Sequence, residues 1–107
     1  MANQVITHNK DKVNIKKPKQ YNVVMHNDDF TTMEFVVEVL KSVFNKDVNT
    51  ANRIMMDVHM LGKGVVGVYP YDIAVTKVGI ALSMAKSEGF PFNITIEEEY
   101  YGSNYGS

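Results

Sequence analysis

The spacing of apolar residues changes repeatedly along this chain, and the order of those changes restricts the folds open to it. Residues 21–25 and 64–70 are short β-prone runs, and in residues 92–97 apolar and polar side chains alternate as they do along a strand. Two intervening segments and residues 71–88 instead repeat apolar residues every three or four positions, which is typical of amphipathic helices. The predicted order is β-α-α-β-α-β, which favours a small sheet with helices packed on one face, an α+β two-layer domain.

The predicted helices carry recognisable start and stop signals. Thr31 and Glu34 stand three positions apart before the first apolar stripe, which is the spacing of a capping box. Asp47 or Asn49 can cap the second helix, and Gly62 can supply the left-handed residue that ends it. The apolar faces of the three helices are predicted to be Phe35, Val36, Val39, Leu40 and Val43; then Ala51, Ile54, Met55 and Val58 with His59 on or beside them; and finally Ala74, Val78, Ala81, Leu82 and Ala85.

The chain is predicted to form one ordered domain with two tails. Its 107 residues and apolar fraction of 45% fit a single modest core, which we place in residues 20–99. Residues 1–19 hold five lysines and few large apolar side chains, so we expect a flexible N-terminal extension. Residues 100–107 are expected to form a disordered C-terminal tail.

Composition excludes several classes of function. The formal net charge of -1 argues against electrostatic binding of nucleic acid, and the absence of cysteine excludes disulfides, thiolate zinc sites and cysteine catalysis. No apolar run approaches the ~20 residues of a membrane helix, and the N-terminal segment lacks the apolar stretch of a signal peptide. We therefore expect a soluble cytoplasmic protein without a metal or other cofactor.

Three polar residues, Asn27, Asp28 and Asp29, are crowded between the first predicted strand and the first helix. Asn and Asp are favoured in turns, and a carboxylate near a helix N-terminus interacts well with the helix dipole, so the pattern alone favours a turn over a site. Turn chemistry explains one aspartate better than two adjacent ones, which repel each other. His59 at the edge of the second helix is more typical of a core-edge residue than of a ligand, and a metal site would require it to meet those carboxylates.

Methionines suggest what these polar residues could serve. Met33 lies in the first turn of the first helix and Met55 in the second, and methionine is an adaptable lining for apolar pockets. If the two helices pack together, Val36 and Val58 would join them beside His59. The resulting pocket would have an apolar floor and an acidic rim, which suits a bulky apolar side chain attached to a cationic amine.

Four segments of the chain closely resemble the ClpS family of bacterial N-degron adaptors: "YNVVMHNDDFTTMEFVVEVL", "ANRIMMDVHMLGKG", "VVGVYPYDIAVTKV" and "GFPFNITIEEE". The resemblance covers about residues 20–99. It implies a three-stranded antiparallel sheet with three helices, similar to the C-terminal domain of the ribosomal stalk protein. It also implies a non-enzymatic adaptor, which binds proteins whose first residue is Phe, Tyr, Trp or Leu and passes them to a Clp-type AAA+ unfoldase, of the ClpA or ClpC type, for proteolysis.

The resemblance also implies roles for individual residues. Residues 1–19 would be the extension that the unfoldase engages when the substrate is transferred to it. Three positions, His26, Phe30 and Thr32, depart from the residues usual in the family. Met33 would exclude β-branched first residues from the pocket. The implied groups are Asn27, Asp28, Asp29 and His59 for the α-amino group, with the choice between the two aspartates left open; Thr31, Met33, Val36, Met55, Val58 and Phe92 for the hydrophobic pocket; and Asp72 and Lys77 for docking to the unfoldase.

Two other classes of function stay open at this point. The aspartates and His59 could form an acid/base or metal-dependent catalytic site. Alternatively, the domain could be a generic protein-interaction module without an amine pocket.

Overall fold

The structure is a computed structural model that describes residues 18–99. The predicted extension and tail include residues 1–17 and 100–107, which lie outside the described residues, so both stay predictions. The order of elements is the predicted β-α-α-β-α-β. The elements are β1 (Gln20–His26), α1 (Met33–Ser42), α2 (Val48–Leu61), β2 (Lys63–Pro70), α3 (Tyr71–Glu88) and β3 (Asn93–Glu98).

The three strands form one antiparallel sheet in the order β2-β1-β3, so β1 lies in the middle. Val23 pairs with Gly67 while Val24 pairs with Val65, which leaves Val66 as an extra residue on β2, a β-bulge. Alternate strand residues, including Val23, Val66 and Ile94, join the helices in a single core. The predicted α+β two-layer architecture is confirmed.

Most residues of the predicted helical faces are buried; Met55 is half-buried, and Leu82 and His59 are exposed. All five predicted apolar residues of α1 are buried, as are Ala51, Ile54 and Val58 of α2. Leu82 of α3 was wrongly assigned to the core, since it is 42% exposed. The contact stripe of α3 consists of Ala74, Val78, Ala81 and Ala85, and Leu82 is turned away from it by one residue, about 100° of helix rotation. His59, which we expected on or beside this face, is exposed.

The predicted capping box is also wrong, by one residue. Thr32 is the N-cap of α1, and its side-chain oxygen accepts a hydrogen bond from the backbone N–H of Phe35 at 3.1 Å. Glu34 therefore occupies the second helical position and does not complete the box. At α2, Asp47 is the cap and accepts from the N–H of Thr50 at 2.7 Å, which resolves the open choice with Asn49.

Two glycines control how α2 joins β2. Gly62 ends α2 with φ of 92°, a left-handed conformation that costs a glycine little. At Gly64 a Cβ atom would lie 3.1 Å from Val58 Cγ2 and 3.3 Å from the Ile54 carbonyl oxygen. The bare backbone at Gly64 therefore lets the start of β2 approach the C-terminal half of α2 closely.

None of the helices in residues 18–99 is long and apolar enough to cross a membrane.

Candidate functional site

A cavity of about 260 Å³ opens where the β1–α1 loop, the start of α1 and the second half of α2 meet. That volume is just below the roughly 300–1,000 Å³ of pockets for drug-sized ligands, so it suits a single side chain with its neighbouring polar atoms. The structure brings nine of the ten residues predicted for amine and side-chain binding to this cavity. Its lining consists of Asn27, Asp28, Asp29 and His59 on the polar side and Thr31, Met33, Val36, Met55 and Val58 on the other.

A backbone hydrogen bond fixes the loop against α2. The N–H of Asn27 donates to the carbonyl oxygen of Gly62 at 2.9 Å, just beyond the last turn of α2. His59 lies one helical turn before Gly62, so this bond brings the loop beside the exposed imidazole. The polar side of the cavity is thus built from residues thirty or more positions apart in the sequence.

Asp28 is committed to the turn that leads into α1. Its Oδ1 accepts from the N–H of Phe30 at 2.8 Å and from the N–H of Thr31 at 2.7 Å, while Oδ2 accepts from the Thr31 hydroxyl at 2.7 Å. Burial by itself raises the pKa of Asp28, but the hydrogen bonds from Thr31 and Phe30 outweigh it and leave the pKa below its ordinary value. Asp28 therefore stays ionised, with both oxygens already accepting hydrogen bonds.

Asp29 differs from its neighbour. It is exposed, and within residues 18–99 its side chain makes no hydrogen bond and no ion pair. The side chains of Asn27 and His59 are likewise exposed and without hydrogen-bond partners in that range. The polar side of the cavity therefore offers one uncommitted carboxylate together with an amide oxygen and an imidazole.

The apolar side of the cavity combines two buried valines with two more exposed methionines. Val36 and Val58 are only 7% and 4% exposed and belong to the core, so they form a fixed floor. Met55 is half-buried and Met33 is 43% exposed. An unbranched, partly exposed thioether side chain can adjust to what it contacts, so the methionines form an adaptable wall.

Phe92 lies elsewhere. It is 7% exposed, and its ring packs edge-on against Phe35 with centroids 5.5 Å apart. It belongs to the core cluster and is not among the residues that line the cavity. The alternation of residues 92–97 places Phe92 on the same face as the buried Ile94, whereas its assignment to the pocket came from the family resemblance.

Asp72 and Lys77, predicted for docking, both line a separate cavity along α3. Asp72 is exposed in the first turn. The Lys77 ammonium group instead donates to the carbonyl oxygen of Val43 at 2.9 Å and lies 5.9 Å from the ring centroids of Phe44 and Tyr69. Lys77 thus ties α3 to the C-terminal end of α1, where a positive charge also interacts favourably with the helix dipole.

Sequence reasoning missed other residues of this α3 surface. Ile73, Thr76 and Ile80 line the same cavity as Asp72 and Lys77, and the first and last of these are 43% and 48% exposed. Their spacing of three and four residues places them on one helix face, a signal that was present in the sequence. Val43 could not have been found in this way, because it comes from the end of α1.

Among the described residues, no group of three or more His, Cys, Asp or Glu side chains could hold a metal ion. The cavity can bind a cation through Asp29 and an apolar group through Val36 and Val58, so its groups are suited to binding a ligand that carries both.

Comparison with known proteins gives concordant results. Residues 16–95 match the family model described as ATP-dependent Clp protease adaptor protein ClpS. The ATP-dependent Clp protease adapter protein ClpS of Acetivibrio thermocellus is 50% identical over 99 residues, which span 92% of this chain and 100% of the relative. The protein of the same name from Clostridium acetobutylicum is 52% identical over 89 residues, 83% of this chain and 88% of the relative.

A solved structure matches as well. The structure of Agrobacterium tumefaciens ClpS2 bound to L-phenylalaninamide has a TM-score of 0.75 and 46% sequence identity, and the match covers 78% of this chain and 100% of that one.

Proposed function

Because the chain belongs to the ClpS family of ATP-dependent Clp protease adaptors, we propose that its cavity binds the free α-amino group and the bulky apolar first residue of substrate proteins. The first residues that we assign to it are Phe, Tyr, Trp and Leu. The chain acts as an adaptor that presents these N-degron substrates for proteolysis, and its family is one of adaptors rather than enzymes. The ligand of the Agrobacterium protein, L-phenylalaninamide, combines the two groups in question, a free α-amine and an apolar side chain.

One observation carries the proposal: an uncommitted carboxylate faces the same small cavity as a fixed apolar floor. Asp29 supplies negative charge for the ammonium group, and the side chains of Asn27 and neutral His59 can each accept one of its N–H groups. Asp28 adds negative charge nearby but has both oxygens occupied by Thr31 and Phe30. We therefore propose that Asp29 makes the main contact with the amine and that Asp28 stabilises the loop.

The apolar side sets the size of the first residue. Val36 and Val58 form the floor, and Met33 stands at the exposed border, where it would meet a branch at the β-carbon of an entering residue. We assign Met33 the role of excluding Ile and Val. Phe92 supports the floor indirectly, through Phe35, since it lies outside the cavity lining.

Two favourable terms of similar size explain both affinity and specificity. Burying a large apolar side chain contributes roughly 1.5–3 kcal/mol, and each charge-assisted hydrogen bond to the ammonium contributes about 1.5–3 kcal/mol. After the cost of association, micromolar affinity follows. An internal phenylalanine or an acetylated N-terminus has no ammonium, so its binding would desolvate the polar groups without compensation.

The test is a fluorescence titration with peptides that differ only in the first residue. We expect Phe, Tyr, Trp and Leu peptides to bind and Ala, Lys and acetylated Phe peptides to bind at least tenfold more weakly. Equal affinity for free and acetylated Phe peptides would show that the cavity does not recognise the amine, and would favour a generic interaction module.

Delivery of the bound substrate requires a second surface, which we place at the exposed face of α3 around Asp72. We propose that its partner is the N-terminal domain of a ClpA-type or ClpC-type unfoldase, and that the two proteins meet in the cytoplasm. The exposed Ile73 and Ile80 beside Asp72 offer apolar area with a charge at its edge. Asp72→Ala is the appropriate test, because Lys77 also bonds α3 to the end of α1 and its substitution would change stability as well as docking. We expect this variant to bind peptides normally and to associate weakly with the unfoldase domain. Association of the variant with the unfoldase domain at normal affinity would show that Asp72 is not part of the docking surface.

A further inference from the structure

Met33 places a thioether on the exposed wall of the amine-binding cavity. Its side chain is 43% exposed and lines the cavity together with the half-buried Met55. Met56 is also 43% exposed but lines neither that cavity nor the one along α3, and Met25 is fully buried. Met33 and Met56 are thus equally exposed, and of this pair only Met33 lies where the first residue of a substrate would contact it.

We propose that Met33 is a modification site, at which oxidation of the thioether to the sulfoxide by a peroxide weakens the binding of N-degron substrates. In this step the sulfur attacks one oxygen of hydrogen peroxide, the O–O bond breaks, a sulfur–oxygen bond forms, and the other oxygen leaves with both hydrogens as water. The sulfur loses two electrons and the peroxide gains them. The proposal rests on the proposed function of the cavity and adds a way in which that function is regulated.

A peroxide molecule can reach the Met33 sulfur in the free chain. The side chain is 43% exposed, and the cavity beside it has a volume of about 260 Å³. A water molecule takes up roughly 30 Å³ in the liquid, so hydrogen peroxide, which has only two oxygen atoms, fits easily beside the sulfur. A bound substrate would fill the cavity and cover the same side chain, so binding should protect Met33 from oxidation.

The apolar side of the cavity has no free donor for a sulfoxide oxygen. The Thr31 hydroxyl already donates to Oδ2 of Asp28 at 2.7 Å. The remaining apolar side chains of the lining carry no N–H or O–H group: Val36, Val58 and Met55.

Oxidation therefore changes the wall in one of two ways. The polar oxygen of the sulfoxide either faces the first residue without a hydrogen-bond partner or turns out into water. In both cases the first residue loses apolar contact with Met33. Because methionine sulfoxide can be reduced enzymatically, the change is reversible.

The test is peroxide treatment of the full chain, followed by fluorescence anisotropy with a labelled Phe peptide that contains no methionine. Catalase removes the peroxide before binding is measured, and mass spectrometry of proteolytic fragments gives the fraction of sulfoxide at each methionine. We expect Met33 and Met56 to be oxidised and Met25 to stay reduced. The treated chain should bind the Phe peptide about 5- to 30-fold more weakly, and methionine sulfoxide reductases A and B should restore its affinity.

Two leucine variants separate Met33 from the other methionines, since leucine is apolar, similar in size and cannot form a sulfoxide. Each variant is compared with itself before and after treatment. Peroxide should leave the affinity of Met33→Leu unchanged, whereas Met56→Leu, the matched control, should lose affinity as the unmodified chain does. A saturating Phe peptide present during treatment should slow the oxidation of Met33 but not that of Met56.

Three results would overturn the modification site while leaving the amine-binding cavity intact. The first is unchanged affinity in a chain whose Met33 has been converted to the sulfoxide. The second is a loss of affinity that persists in Met33→Leu, which would assign the effect to another methionine. The third is a treated chain that has unfolded, as measured by urea denaturation. If the untreated chain fails to bind the Phe peptide, both the proposed function and the modification site are wrong.

Discussion

Neutralising each of the two adjacent aspartates in turn separates a binding role from a structural one. Asp29→Asn and Asp28→Asn make the same chemical change at neighbouring positions, yet the structure assigns the two carboxylates different surroundings. Asp29 faces the cavity without a protein partner among the described residues, whereas Asp28 accepts three hydrogen bonds of 2.7–2.8 Å from Phe30 and Thr31. We expect the first variant to lose affinity and the second to lose stability.

The magnitudes follow from exposure. A charge-assisted hydrogen bond contributes about 1.5–3 kcal/mol, but an exposed ion pair is screened and contributes about 0.2–1 kcal/mol. Asp29 is exposed when empty and partly covered by a ligand, so we expect a loss of about 1–2 kcal/mol, a 5- to 30-fold weaker affinity for a Phe peptide. Asp28→Asn keeps one acceptor oxygen and should lower the free energy of unfolding by about 0.5–1.5 kcal/mol.

The assays are peptide titration for affinity and urea denaturation for the free energy of unfolding. The free energy of unfolding of Asp29→Asn should equal that of the unmodified protein. Asp28→Asn should bind the Phe peptide more tightly than Asp29→Asn does. The reasoning is refuted if Asp29→Asn binds Phe peptide with unchanged affinity. It is also refuted if Asp28→Asn is the weaker binder and keeps full stability, since that would exchange the two roles.

Three further predictions address the pocket wall, the packing below it and the turn. Met33→Ala should admit peptides that begin with Ile or Val, because it removes the side chain at the cavity border; continued rejection of both in titrations would contradict the exclusion role. Gly64→Ala should lower the free energy of unfolding by about 1–3 kcal/mol, measured in urea, because the added Cβ would press on the Ile54 carbonyl and Val58; unchanged stability would show that α2 can move away. Since the pKa of Asp28 is lowered in the folded state from its ordinary value of 3.8, its contribution to stability is present above that value and is lost as the pH falls through the folded pKa. Unfolding measured as a function of pH should therefore show a smaller acid dependence in Asp28→Asn, and identical acid dependence would contradict the turn assignment.

Local patterns were sufficient for the elements of this fold. The spacing of Phe35, Val39 and Leu40 predicted α1, and Asp47 and Gly62 marked the ends of α2. These signals work because each depends on residues within one or two turns, where backbone geometry alone sets which side chains share a face. The error at the α1 cap, where Thr32 replaces Thr31, arose because two adjacent threonines carry the same local signal and only the path of the loop selects one.

The candidate site could be predicted in composition but not in arrangement. Nine of the ten residues assigned to the amine and its side chain line one cavity. Patterning predicted the apolar floor and the acidic rim, and the family resemblance added Thr31 and Phe92 and gave each residue its role. Phe92 was placed in the pocket although it packs against Phe35 in the core. Lys77 was assigned to a partner, whereas the structure also shows its bond to Val43, thirty-four residues away.

By itself, the sequence determined the order of strands and helices, most of the core faces and the presence of an acidic loop before α1, because all of these depend on neighbouring residues. Only the tertiary structure decided which aspartate is available. Asp28 accepts hydrogen bonds from Phe30 and Thr31, the neighbouring Asn27 is bonded to Gly62 at the end of α2, and Asp29 lines the cavity together with His59. Two adjacent residues of the same type have the same propensity, so only the folded loop shows that Asp28 accepts the hydrogen bonds of the turn, and only the packing of α2 places a cavity beside Asp29.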